Sequence, residues 1–190
     1  MHPTQKAIDP KSNLSSTLAL TILGSLLLVV GSCKKKESIP AVGESYKGGK
    51  VFYIDNTGQH GLVAATTDLG MGSAWGCKGV AISGADGINV GTGNQNTVDI
   101  ANGCNEAGTA ATLCNDLVLE GFSDWYLPSK EELNLLYKQK MLIGGFAKDT
   151  YWSSSEVNSI CAWIQSFDTG TQFSTTTKDY GTNLRPIRAF

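Results

Sequence analysis

The chain has 190 residues, a net charge of −2, 41% hydrophobic residues and 17% charged residues. That leaves room for one ordinary domain and excludes both a disordered polyelectrolyte and a bundle of membrane spans. With 22 glycines against 5 prolines, the composition predicts many tight turns and a strand- and loop-rich body.

Residues 1–32 read as a lipoprotein signal peptide. Lys6 and Lys11 precede an apolar run from Leu18 to Val30, too short for a membrane span of roughly 20 residues and suited to a secretory core. The run closes as Val30-Gly31-Ser32-Cys33. A branched residue, two small residues and a cysteine resemble a lipobox: the small pair admits the backbone to a peptidase cleft, and the Cys33 thiol takes the diacylglycerol. Two or more acyl chains anchor stably where one does not. Residues 33–42, with Lys34, Lys35 and Lys36, form a polar tether whose lysines suit lipid headgroups. Residues 37–190 carry 10 basic and 16 acidic side chains, a net of −6, which argues against nucleic acid as a partner.

Along residues 43–190, the runs Lys50–Asp55 and Gly61–Thr66 flank a turn containing Asn56 and Gly58 and predict a β-hairpin. Residues 67–95 hold eight glycines and few apolar runs; a loop of this length usually carries function or a staple. Residues 96–118 show spacings of three and four and predict a helix, with breaks available at Gly103 and Gly108. Ser129-Lys130-Glu131-Glu132 is a capping box opening a helix to about Lys140. Tyr151–Glu156 predicts a strand, Ala162–Phe167 and Thr171–Thr177 a second hairpin, and Leu184–Phe190 a last strand with Pro186 at an edge or bulge. The whole is α+β.

With Cys33 assigned to lipid, Cys77, Cys104, Cys114 and Cys161 remain. An exported domain sits in an oxidising compartment, so an even count favours disulfides. Three connectivities are open. The favoured pairs are Cys77–Cys104 and Cys114–Cys161, because Cys104 and Cys114 share one helical region that holds them apart. The alternative leaves one bridge and two buried thiols. A single histidine beyond the leader, His60, makes a zinc site a poor fit, and no cofactor motif is complete: Gly91-Thr92-Gly93 lacks the lysine of a phosphate loop.

Three motifs, Gly121–Asn134 (GFSDWYLPSKEELN), Tyr151–Glu156 (YWSSSE) and Leu184–Phe190 (LRPIRAF), resemble the Lcl C-terminal domain family over roughly residues 43–190. That family is similar to the C-type-lectin-like fold, shared with formylglycine-generating enzymes. The resemblance implies two helices packed on small antiparallel sheets, paired terminal strands, and a surface protein acting as an adhesin or glycan binder. The chain departs from calcium-dependent lectins: the link Val157–Ile160 has four residues and no calcium signature occurs. Nor does Cys161 alone supply an oxidase's reactive pair.

Trp75, Trp125 and Trp152 are candidates for stacking on sugar rings, with core packing as the competing role. Arg185 and Arg188 suit either an anionic ligand or a structural bond to Glu132 or Asp124. The resulting expectation is a non-enzymatic, lipid-anchored binding module of the outer membrane. It has no cofactor and no metal, its partners are the membrane and a glycan or envelope protein, and its contact surface is the loop 67–95. The alternatives are a self-assembling envelope protein and, further off, an oxidase.

Overall fold

The computed structural model describes residues 38 and 40–190. The expected signal peptide and lipidated Cys33 lie outside the described residues. The first elements are β1 (Ser45–Tyr46), β2 (Gly49–Ile54) and β3 (Gly61–Ala64), followed by α1 (Gly93–Gly103), α2 (Ala110–Asn115), α3 (Lys130–Lys138) and α4 (Lys140–Ile143). The chain then forms β4 (Thr150–Glu156), β5 (Cys161–Ser166), β6 (Gln172–Thr177) and β7 (Ile187–Ala189). The fold is α+β, with two antiparallel sheets ordered β1-β2-β3-β7 and β4-β5-β6.

Both expected hairpins form, and a third short one precedes them. Lys47 and Gly48 both take positive φ and join β1 to β2 as a two-residue turn whose twist matches the strands. Glu120 and Gly121 do the same between Leu119 and Phe122, which exchange two backbone bonds at 3.0 Å. The two turns meet: Gly48 lies against Phe122 and Glu120. The expected pairing of terminal strands is corrected, because β3 lies between β2 and β7, and β7 pairs with β3. The predicted single helix over 96–118 is two, since Cys104 is extended and Gly108 has positive φ. The second helix stops at Lys138, and Gln139 caps it before α4. Four helices therefore stand where two were expected.

The capping box forms as read. Ser129 accepts from the Glu132 amide, and Glu132 Oε2 accepts from the Ser129 amide at 2.8 Å. Leu133 and Leu136 then face the core beside Phe52, Tyr151 and Phe167. A second apolar cluster joins Trp75, Ile100, Cys114, Leu127 and Trp152, and a third joins Val51, Val63 and Trp125. All three belong to the compact unit Glu37–Phe190, so this segment carries a complete core of its own.

Residues 182–187 tie the two sheets together. Asn183 exchanges bonds with Thr150 and Trp152 of β4, and Ile187 exchanges two with Tyr126 at 2.8 and 3.0 Å. Between them Arg185 is fully buried. Its Nε donates to Asp68 at 2.7 Å, and its other nitrogens donate to the carbonyls of Ala65, Gly144 and Gly145. The guanidinium also lies 3.9 Å from the Phe146 ring centre. Removing a partner from a buried ion pair strands the other charge, at about 3–5 kcal/mol. Urea unfolding of residues 37–190, followed by tryptophan fluorescence, is expected to show a loss of that order for Arg185→Ala. A loss below about 1 kcal/mol would assign the side chain to the weak class of exposed pairs.

Candidate functional site

An open cleft of about 330 Å³ lies at the far end of the β2–β3 hairpin. Its walls are apolar and aromatic: Tyr53 and Leu62 from the hairpin, Tyr126, Val90 and Phe190. Asp55, His60, Asn94 and Asp124 supply its polar rim. Four separate stretches of chain therefore meet there, and each is fixed by a local device.

The hairpin turn is held by Asp55. Its Oδ1 accepts from the Thr57 hydroxyl at 2.6 Å, the Thr57 amide at 3.1 Å and the His60 amide at 3.4 Å. The Thr57 hydroxyl, with help from these amides, holds the Asp55 carboxyl below its usual range. His60 is thereby placed on the rim, exposed, with no carboxylate paired to its ring among the described residues. The loop before α1 is held by Glu132, whose Oε1 accepts from the Gly91 amide at 2.8 Å. Burial pushes the Glu132 carboxyl up, and the amides of Ser129, Gly91 and Gly93 oppose that rise. A side chain at Gly93 would collide with this carboxylate and with the Ser129 amide, so the position requires glycine. Burial also raises the Tyr126 hydroxyl, with Glu132 adding to the effect.

Asp124 is committed to Arg188. The two bonds, at 2.6 and 2.7 Å, form a fork that holds the Asp124 carboxyl below its usual range. Arg188 donates a further bond to the Lys47 carbonyl at 2.9 Å and lies over Phe122. The cleft thus has rigid walls, and its exposed His60 and Asn94 project from fixed backbone. That arrangement suits binding: it offers apolar faces with polar groups at the margin, and no acid–base pair is assembled on it among the described residues.

The residues singled out from sequence fall elsewhere. Trp75, Trp125 and Trp152 are at most 2% exposed, which corrects the stacking expectation, because a sugar platform needs an open ring face. Each indole N–H is spent inside the protein. Trp75 donates to the Ser153 carbonyl and Trp152 to the Ser73 carbonyl, both at 2.9 Å, and Trp125 donates to Leu119. The first two bonds run in opposite directions between β4 and the glycine-rich loop, and so stitch that loop to the core. Lys178 completes the stitch. It is fully buried, pairs with Glu156, donates to the Val80 carbonyl and lies over Trp75. Most of residues 67–95 is therefore pinned, and only its end, Val90 to Asn94, reaches the cleft.

Cys77 and Cys104 are bonded. The expected Cys114–Cys161 bridge is absent, and both thiols are free. Cys114 is enclosed on α2 in the core cluster around Trp75 and Trp152, whereas Cys161 opens β5, half-buried and paired across the sheet with Thr177. Burial pushes the Cys114 thiol far up. Cys77, Cys104 and Glu106 have metal-ligand spacing, but the two sulfurs are spent on each other. Among the described residues no helix is long and apolar enough to cross a membrane.

The cleft escaped sequence reasoning because its walls come from positions 53, 62, 90, 126 and 190. The one local signal was Asn56-Thr57-Gly58 after an aspartate, which marks a structured turn and a fixed neighbour at His60.

Residues 64–188 match the family model described as the Lcl C-terminal domain. No curated protein matches the chain. Among solved structures, a fimbrial protein from Bacteroides ovatus ATCC 8483 aligns with a TM-score of 0.45 and 19% identity, over 67% of this chain and 35% of that one. The chain thus spans about a third of that protein's length.

Thiol titration checks the cysteine assignment. In residues 37–190, a disulfide-exchange reagent is expected to modify one thiol, Cys161, under native conditions and a second, Cys114, only after denaturation. Two thiols reacting at equal rates in the folded protein would contradict the burial of Cys114.

Proposed function

The chain belongs to the Lcl C-terminal domain family, and on that premise we propose that it is a lipid-anchored, non-enzymatic binding module of the bacterial cell surface. Its arrangement of two small sheets and packed helices is read as similar to the C-type-lectin-like fold, and Cys33 as its acylated attachment to the outer membrane. The ligand site is the cleft beside the β2–β3 hairpin. The observation that carries this assignment is the coexistence of aromatic walls with an exposed imidazole and amide on fixed backbone.

A neutral glycan suits that cleft best. The CH face of a sugar ring stacks on partly exposed aromatic rings such as Tyr53 and Phe190, and its hydroxyls reach Asn94 and His60. A sulfated or phosphorylated ligand suits it poorly, since Asp55 and Asp124 stand on its rim and Arg188 is already paired to Asp124. A loop of an envelope protein is the other ligand class with matching chemistry.

Glycan-array screening and envelope-protein capture with residues 37–190 test the assignment. Binding to a neutral glycan is expected to fall at least about tenfold in Tyr53→Ala, the scale of a lost stacking contact, with the native circular-dichroism spectrum retained. Binding that ignores Tyr53→Ala and Asn94→Ala alike would remove the site. Palmitate labelling of the full chain, lost in Cys33→Ser, is expected for the anchor; an unlabelled wild-type protein would remove it.

A further inference from the structure

The surface around α4 combines exposed apolar side chains with lysines. Met141 and Leu142 are 87% and 55% exposed and adjacent, and none of the described residues encloses them. A shallow cavity of about 280 Å³ adjoins them, with Phe146 and the Gly144-Gly145 backbone in its wall and Lys140, Lys148 and Asp168 at its edge. Lys50 reaches the Leu142 carbonyl at 3.5 Å. Lys138 and Lys148 are exposed, while the Lys140 ammonium is turned to the Phe167 and Asp168 carbonyls. Four of the ten basic residues of 37–190 thus gather here. The carboxylates close by in the chain or space are Glu44, Asp149, Asp168 and, one helical face along α3 from Lys138, Glu131, which already pairs with Lys130. Glu44 accepts from the Ala41 amide, and Asp149 accepts from the Thr150 amide and from Asn183.

The chain also enters the domain at this face. Gly43 lies against Leu142, so that a methyl group on the glycine would stand 3.4 Å from the Leu142 Cβ. Ala41 stands eight positions after Cys33, a reach of at most about 28 Å. A domain held by an acylated Cys33 therefore keeps its entry face within that distance of the lipid surface.

We propose that the α4 face docks on an anionic lipid bilayer, with Met141 and Leu142 entering the headgroup layer and Lys138 and Lys148 meeting lipid phosphates. Exposed apolar tips flanked by lysines are the chemistry of interfacial binding, and the lysines add electrostatic attraction that salt weakens. The tether part of the inference rests on the proposed acylation of Cys33; the chemistry of the face does not. Strand β2 carries Lys50 near its start, at this face, and Tyr53 near its end, in the wall of the proposed ligand cleft. Docking therefore turns the cleft away from the lipid.

Sedimentation with vesicles tests the proposal. Residues 37–190, which lack Cys33, are mixed with vesicles of phosphatidylethanolamine and phosphatidylglycerol, or of phosphatidylcholine alone. The expected result is at least about tenfold stronger partitioning to the anionic vesicles at low salt, since each lysine near such a surface adds to the attraction. The double variant Met141→Ser/Leu142→Ser is expected to lose at least about tenfold of that binding. Its melting temperature should not change, because both side chains are exposed. A fragment that stays in the supernatant, or a double variant that binds as well as the wild type, overturns the proposal. A fragment that ignores vesicles but forms a dimer abolished by the double variant assigns the face to a second copy and overturns it too. Because the fragment cannot be acylated at position 33, its result is independent of the palmitate labelling that tests the anchor.

Discussion

A cation taken out of water must find a full set of acceptors, and this domain buries three in its last strands and loops. Arg185 and Lys178 have no solvent exposure and Arg188 has 7%. Each has a carboxylate, at least one backbone carbonyl and an aromatic face: Asp68 and Phe146, Glu156 and Trp75, Asp124 and Phe122. An unpaired charge in that setting costs several kcal/mol, so loops that supply the partners cannot wander. The glycine-rich loop is the plainest case. It lacks helix and strand over most of its length, yet Lys178, Glu156, two tryptophan N–H bonds and the Cys77–Cys104 bridge hold it. A 27-residue disulfide loop adds about 3–4 kcal/mol by chain entropy.

Glu132 plays the corresponding role for the cleft beside the β2–β3 hairpin. One carboxylate closes the capping box of α3 and at the same time receives the amide of Gly91. The helix start and the cleft wall are thereby one rigid piece. The rim of the cleft is built mostly from groups whose hydrogen-bonding capacity is already satisfied, and only outer polar side chains such as His60 and Asn94 stand exposed there.

How much of this was legible depended on range. Local rules located the capping box, both main hairpins and the strand of Tyr151–Glu156, because each rests on residues within a few positions. Arg188 and Asp124 were named together, since both lay in recognisable motifs. The pairing of Arg185 with Asp68, 117 residues away, was not, because Asp68 carries no local sign of its partner. Core packing was one of the two roles open to the tryptophans, and the sequence could not choose between them for a related reason. An indole reads the same in sequence whether its N–H meets water or, as for Trp75, a carbonyl 78 residues distant. The second disulfide failed on burial: an even cysteine count says nothing about one sulfur sealed behind Trp75 and Trp152. The cleft itself was invisible, since no two of its aromatic walls are near neighbours in the chain.

The direction of these long links bears on the order in which the domain can fold. Every partner of Lys178, Arg185 and Arg188 precedes it, by as many as 141 residues for Lys47. A polypeptide emerging amino end first, from a ribosome or an export pore, can make its tight turns early, since such local closures take microseconds. It cannot neutralise the carboxylates of Asp68, Asp124 and Glu156 until residues 178–188 have appeared. These three buried pairs therefore close only once residues 178–188 are present.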